Sequence, residues 1–151
     1  MLAHVASYEG EVAVENALGG RREVNYKVVP NCIFTIPEIS GVGMTEREVK
    51  EKALPYKVSR FPFSASGRAQ TMGETVGLVK MLCHSQTGEI LGVHIMGPRA
   101  TDLIAEAALA IQMEATAEDI AATIHAHPTL PEALFEAALG QLHGSIHSLR
   151  L

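Results

Sequence analysis

The sequence predicts an α+β domain: an antiparallel sheet of about five strands with helices packed on it, preceded by one N-terminal helix. Three observations carry this reading. Between Val28 and Met96, β-branched runs are punctuated by Pro and Gly. After Pro98 the apolar period becomes helical and stays so. The strands are grouped before the helices instead of alternating with them, which disfavours a βαβ architecture. At 151 residues the chain has the length of one domain, and 47% hydrophobic residues with only 19% charged suffice for a core built from Val, Ile, Leu, Ala and Met.

The elements follow in order. Leu2 to Leu18 has helical composition, and Gly19-Gly20 ends it as a C-cap signal. Val28 to Thr45, broken by Pro30, Pro37, Gly41 and Gly43, reads as short strands separated by turns. Thr45 with Glu48 fits a capping box, so Glu46 to Lys52 is a short surface helix stopped by Pro55. Tyr56 to Phe63 reads as a strand. Thr75–Cys83 and Ile90–Met96 are joined by a six-residue turn into an antiparallel hairpin, apolar on both faces and therefore covered on both sides. Leu103, Ile104, Ala107, Ala108 and Ile111 then recur at helical spacing to about Glu114. Thr116 with Asp119 starts a helix to about Ile124, and Thr129 with Glu132 starts another that runs to Gly140. That last helix has two apolar stripes, one of Leu130, Ala133, Leu134, Ala137 and Ala138, the other of Phe135, Leu139 and Leu142. The second stripe makes a homodimer interface the economical expectation.

Composition excludes several functions. Twelve Lys and Arg against seventeen Asp and Glu leave a net charge of −5 with no basic run, so no nucleic-acid partner is expected. No apolar run spans a membrane and no secretory signal opens the chain, which reads as cytoplasmic. Cys32 and Cys83 are too far apart in sequence for a CxxC pair or a Cys-rich metal cluster. Neither GxGxxG nor GxxxxGK[ST] is present, since Gly41-Val42-Gly43 runs on into Thr45 and Glu46, so the chain alone holds no dinucleotide.

The dense cluster of reactive residues is His125-Ala126-His127-Pro128-Thr129-Leu130-Pro131-Glu132, on a loop entering a helix. Glu132 serves a capping box with Thr129 in one reading. In another its carboxylate accepts the N–H of His127, orienting the ring as an acid–base group suited to neutral pH. A third reading takes His125-x-His127 with His143-xxx-His147, and Glu132 as a substitute, as a zinc site. Against it stand the absence of a nearby Cys and the stiffness of Pro128. His4, His84 and His94 have no partner spacing.

HAHPTLPE at 125–132 resembles the C-terminal signature of the dihydrolipoamide dehydrogenase family of flavoprotein disulfide oxidoreductases. Cys32-Ile33-Phe34-Thr35-Ile36-Pro37-Glu38 with Gly41-Val42-Gly43, Arg68-Ala69, and Gly92-Val93-His94-Ile95-Met96-Gly97 agree in order, and Met1 to Gly10 looks like the helix that closes an FAD domain. The resemblance spans essentially the whole chain. It implies a terminal helix of a truncated FAD domain at 1–20 and an interface, or dimerisation, domain at 28–151. It implies catalytic roles for His127 and Glu132, reaching across a homodimer to the disulfide of the other subunit, where the His takes a proton from a dihydrolipoamide thiol. Electrons would then pass to FAD and on to NAD, both bound by the complete enzyme and neither by this chain alone. The substrate implied is dihydrolipoamide on the lipoyl domain of a 2-oxoacid dehydrogenase complex. Leu2, Ala3 and His4 are implied to lie against FAD, together with Met1, and the backbone around His125 near the flavin ring. A cis bond before Pro128 is also implied. Pro131 departs from the family's small or polar residue, and a helix entrance tolerates it. Two alternatives are a non-catalytic homodimerisation module and another disulfide reductase such as glutathione reductase, which shares the HPT and the Glu but usually lacks the preceding His-Ala.

Overall fold

The computed structural model describes residues 2–148 and has the predicted class. Strands β1 (Asn31–Ile33), β2 (Glu38–Gly43), β3 (Tyr56–Pro62), β4 (Leu78–His84) and β5 (Ile90–Gly97) form one open antiparallel sheet in the order β1-β2-β5-β4-β3. Six helices accompany it: α1 (Ala3–Ala17), α2 (Glu46–Glu51), α3 (Gly67–Met72), α4 (Ala100–Gln112), α5 (Ala117–Ala122) and α6 (Glu132–Leu142).

Strand alternation divides the apolar residues between the two faces. Val79, Met81 and Cys83 of β4, with Val93 and Ile95 of β5, Phe61 of β3 and Val42 of β2, point into the main core. There α4 lies over β1, β2 and β5, while α6 lies over β3 and β4 with α5 beside it. Leu103, Ile104 and Ala107 of α4 and Ala133, Leu134, Ala137 and Ala138 of α6 complete that core. The alanines let both helices approach the sheet closely. On the other face Leu82 and Leu91 pack beneath Val49 of α2 in a second, smaller core. Beyond the reach of α2 a cross-strand row of Ile33, Ile39, Met96, Leu78 and Pro62 stays partly open, so the two-sided hairpin is fully roofed on one face only. The next row sets Arg60 directly opposite Lys80, a like-charge pair that would destabilise the sheet. Glu46 of α2 relieves it. Hydrogen bonds from Lys50, Lys80 and Tyr56 draw that carboxyl down to about 2.

Capping boxes form as expected at Thr45–Glu48 and Thr116–Asp119. α1 ends at the glycines, where Gly19 takes φ +100° and the N–H of Gly20 bonds to the Glu15 carbonyl at 3.0 Å. α1 buries only Val12 and is tied down by polar contacts, with the Arg22 guanidinium over the Tyr8 ring and the Tyr26 hydroxyl donating to Glu9 at 2.6 Å.

One unread helix and three boundaries are the main differences from the sequence reading. α3 has too few residues to show a period, and only its caps, Ser66 and the left-handed Gly73, mark it. β4 starts at Leu78 instead of Thr75, after Gly77 at φ +104° breaks the extended run. α5 stops at Ala122 because Thr123 is already extended. α6 continues through Gly140 to Leu142: this glycine is a close-approach point and not a cap, since a Cβ there would lie 2.9 Å from the Ser59 Cβ on the sheet.

The two stripes of α6 also differ from expectation. Leu130, Ala133, Leu134, Ala137 and Ala138 are buried as read, but the second stripe is largely covered by the chain itself. Leu139 is buried, Phe135 packs against the ring of His125, and only Leu142 is open. That stripe is therefore weak evidence for a partner.

Candidate functional site

The loop between α5 and α6 carries His125 to Pro131, with the His127-Pro128 bond cis. Glu132 opens α6, and its two carboxylate oxygens have different tasks. Oε2 accepts the N–H of Thr129 at 2.8 Å, and Oε1 faces Nδ1 of His127 at 2.8 Å. The expected Thr129–Glu132 capping box is thus half formed. The Thr129 hydroxyl donates instead to the Ala126 carbonyl at 2.6 Å, and the helix is entered through Pro131, whose missing N–H costs nothing there. Cap and orienting carboxylate, alternatives in the sequence, are one residue doing both.

A carboxylate can only accept, so Nδ1 of His127 carries the hydrogen of this bond, and in the neutral form of the ring the lone pair is on Nε2. The His127 side chain is 77% exposed, while that of Glu132 is 27% exposed. The pair is an imidazole fixed from behind by a half-buried anion and presented outward. Burial pushes the Glu132 carboxyl up, but the Thr129 N–H and the hydrogen bond and charge of His127, with the charge of His147, outweigh it and hold the group below the ordinary carboxylate value.

His125 has different partners. Its side chain is 7% exposed; Nδ1 lies 2.9 Å from the Thr123 carbonyl and Nε2 2.9 Å from Oε1 of Glu106 on α4. The ring anchors the loop to α4 and α6, with both nitrogens in use. Leu2, Ala3 and His4 sit at the exposed start of α1, where His4 Nε2 lies 3.0 Å from the Pro30 carbonyl; Met1 lies outside the described residues. His4 also borders an open concavity of about 430 Å³ with Tyr8, Val28 and Leu109. No helix among the described residues is entered through a Gly-rich phosphate loop. The imidazoles of the zinc reading are spread over separate carboxylates, Glu106 for His125, Glu132 for His127 and Glu136 for His147. Cys32 and Cys83 are both free thiols.

Sequence reasoning missed Glu106 and Glu136. Glu136 had a readable signal: it falls between Ala133 and Ala137 on the buried side of an apolar helix, where a charge demands a partner. Glu106 had none, because its partner lies on another element.

Together these features define a class of domain that displays an oriented imidazole–carboxylate pair at its surface. Residues 29–138 match the family model described as the pyridine nucleotide-disulphide oxidoreductase dimerisation domain, and the chain belongs to that family. It is 46% identical over 144 residues to the mitochondrial dihydrolipoyl dehydrogenase of Mus musculus and 47% identical over 147 residues to the dihydrolipoamide dehydrogenase of Chaetomium thermophilum. These alignments take in 95% and 97% of this chain, which spans only 28% and 29% of those relatives. Among solved structures it is similar to LpdA of Mycobacterium tuberculosis, with a TM-score of 0.86 and 31% identity over 91% of this chain and 30% of that one. The flavoprotein disulfide reductase RclA of Escherichia coli follows at 0.76 and 25%, over 83% and 30%. The cytoplasmic location read from the sequence is corrected by these relatives: those from mouse, rat and human are named mitochondrial. The chain spans only 28% and 29% of such relatives, so the residues at its own start carry no information on an address.

Proposed function

We propose that this chain is the dimerisation domain of a dihydrolipoyl dehydrogenase, that it works in a homodimer, and that His127, oriented by Glu132, is the acid–base group of thiol–disulfide exchange. The observation that carries the reading is the His127–Glu132 geometry: Nδ1 is held 2.8 Å from a carboxylate while the rest of the ring is open. The matched relatives named dihydrolipoyl dehydrogenase support the substrate class, and the family's description supports the dimer. The domains divide as a terminal helix of the FAD domain at 1–20 and the interface domain at 28–151.

In this scheme a dihydrolipoamide thiol gives its proton to Nε2 of His127. A thiol near ~8.5 holds little thiolate at neutral pH, and the thiolate is the nucleophile. The sulfur attacks a disulfide supplied by the partner subunit, the S–S bond breaks, and the displaced sulfur leaves as a thiolate. The second substrate thiol attacks the mixed disulfide at the substrate sulfur and closes the lipoamide disulfide, displacing the second enzyme sulfur; its proton and the one held on His127 pass to the two enzyme sulfurs, which are left as a dithiol. Glu132 stabilises the protonated ring between these steps. FAD and NAD would carry the electron pair onward, in regions of such an enzyme that this chain does not include, with Leu2 to His4 and the backbone at His125 bordering the flavin site.

The test is His127→Ala in a complete dihydrolipoyl dehydrogenase carrying this domain. Lipoamide turnover falls by at least ~10²-fold, the usual weight of general acid–base catalysis, while flavin content and dimer mass stay unchanged. Near-normal turnover overturns the assignment.

A further inference from the structure

The stretch that carries the reactive imidazole has little hold on the rest of the fold. From Ala122 to Pro128 every residue is exposed except His125. The ring of His125 is therefore the loop's attachment, and it reaches two helices. Nε2 lies 2.9 Å from Oε1 of Glu106 on α4, Nδ1 lies 2.9 Å from the Thr123 carbonyl, and the ring centroid is 5.4 Å from that of Phe135 on α6. Both hydrogen-bond partners accept, so the two bonds form together only when hydrogens stand on both ring nitrogens. Because the His125 side chain is almost closed to water, its contact with Glu106 is screened less than a surface pair. The helix that supplies Glu106 is itself fixed: Leu103, Ile104 and Ala107, on either side of Glu106 in sequence, are buried in the main core.

The consequence reaches His127, two residues along the same loop. The intervening Ala126 is braced, since its carbonyl accepts the Thr129 hydroxyl at 2.6 Å while the Thr129 N–H bonds to Oε2 of Glu132 at 2.8 Å. A shift of His125 therefore carries Ala126 and His127 with it. We propose that Glu106 is a positioning residue for the His127–Glu132 pair, acting through His125: the carboxylate on α4 holds the His125 ring, the ring holds the loop, and the loop keeps Nδ1 of His127 within reach of Glu132. Glu132 orients His127 directly from α6, and Glu106 does so from α4 at one remove. Without the second hold, an exposed loop pivots on the single contact to Glu132, and small displacements of a reacting group are costly in rate. The catalytic meaning of the arrangement rests on the acid–base reading of His127, but the clamp itself does not.

The experiment uses the 151-residue chain with ¹⁵N-labelled histidine. It reads the ring nitrogens of His127 by nuclear magnetic resonance at a pH where that ring is neutral, together with amide exchange. In the wild-type chain the ring hydrogen stands on Nδ1, facing Glu132. In Glu106→Ala the Nε2–H form becomes the major one, and the Thr129 amide exchanges with deuterium at least ~10-fold faster while the β4–β5 ladder keeps its protection. His125→Phe retains an aromatic ring against Phe135 but removes both hydrogen bonds, and it produces the same changes. Glu106 has a partly exposed side chain on a helix, where Ala is well tolerated, so Glu106→Ala keeps the proposal falsifiable if His125→Phe fails to fold. An unmoved His127 tautomer or unchanged Thr129 exchange in either folded variant overturns the proposal. So does a loss of ladder protection equal to that of Thr129, which reports general destabilisation instead of a released loop. No turnover is measured, so failure here is separable from failure of the His127 assignment.

Discussion

Replacing Glu132 by Ala removes two hydrogen bonds to an anion at once, each 2.8 Å long, one from the Thr129 N–H and one from His127. A hydrogen bond to a charged group contributes about 1.5–3 kcal/mol when well shielded. The Thr129 bond is part-buried, whereas the exposed His127 ring contributes toward the lower, surface end. The combined loss is therefore about 1–2 kcal/mol, which for a chain of this size lowers the melting temperature by roughly 3–8 °C. The Glu132 carboxyl is held below its ordinary value of 4.5, so its contribution is complete above that value and is lost as the pH falls through the lower, folded-state value. Calorimetric melts of wild type and Glu132→Ala at a series of pH values between 5 and 3 show a gap that narrows as the pH falls. Glu132→Gln, whose single amide oxygen replaces one of the two bonds, falls between them. Identical melts at pH 5, or a gap that widens between pH 5 and 3, would refute the assignment of Glu132 as an ionised clamp on the loop.

Three further outcomes are expected. Leu134→Ala opens a cavity under α6, where Leu134 is fully buried, and costs about 2–5 kcal/mol in denaturant unfolding; a loss below ~1 kcal/mol would mean that α6 is not packed as described. Gly97→Ala would put a Cβ 2.3 Å from the Phe63 ring, itself wholly buried, at a backbone φ of +153°, so destabilisation of about 2–4 kcal/mol is expected and a wild-type melt would contradict the close approach. Burial pushes the Cys83 thiol up to about 12, whereas Cys32 is raised less and is only partly buried. In the native chain at pH 8 a thiol reagent therefore titrates Cys32 first and Cys83 only on unfolding; equal rates would contradict the burial of β4.

Periodicity carries far in this chain because its elements obey simple solvent partition. The β4–β5 hairpin, the α4 stripe and the buried face of α6 are visible in the sequence, since burying alternate or i, i+3, i+4 positions is what makes those segments fold. The capping boxes at Thr45 and Thr116 are visible because donor and acceptor lie three residues apart. Thr129–Glu132 shows the same spacing, yet the tertiary environment gives the Glu132 oxygens to Thr129 and His127 and sends the Thr129 hydroxyl to Ala126. Local spacing names the participants there, and the loop's path decides who bonds to whom.

What the sequence determined by itself is the fold class, the order of nearly all the elements, and the neighbouring of His127 and Glu132 across the loop, because each rests on contacts within a few residues or on an apolar period. The tertiary structure alone decided that Gly140 is a close-approach point and that the second stripe of α6 is largely filled from within. It alone placed His125 on Glu106 and bound the tail to Glu136 through His147. Those contacts join residues eleven to eighty-one positions apart, and no local pattern encodes them: a buried charge finds its partner wherever the packed chain brings one within reach.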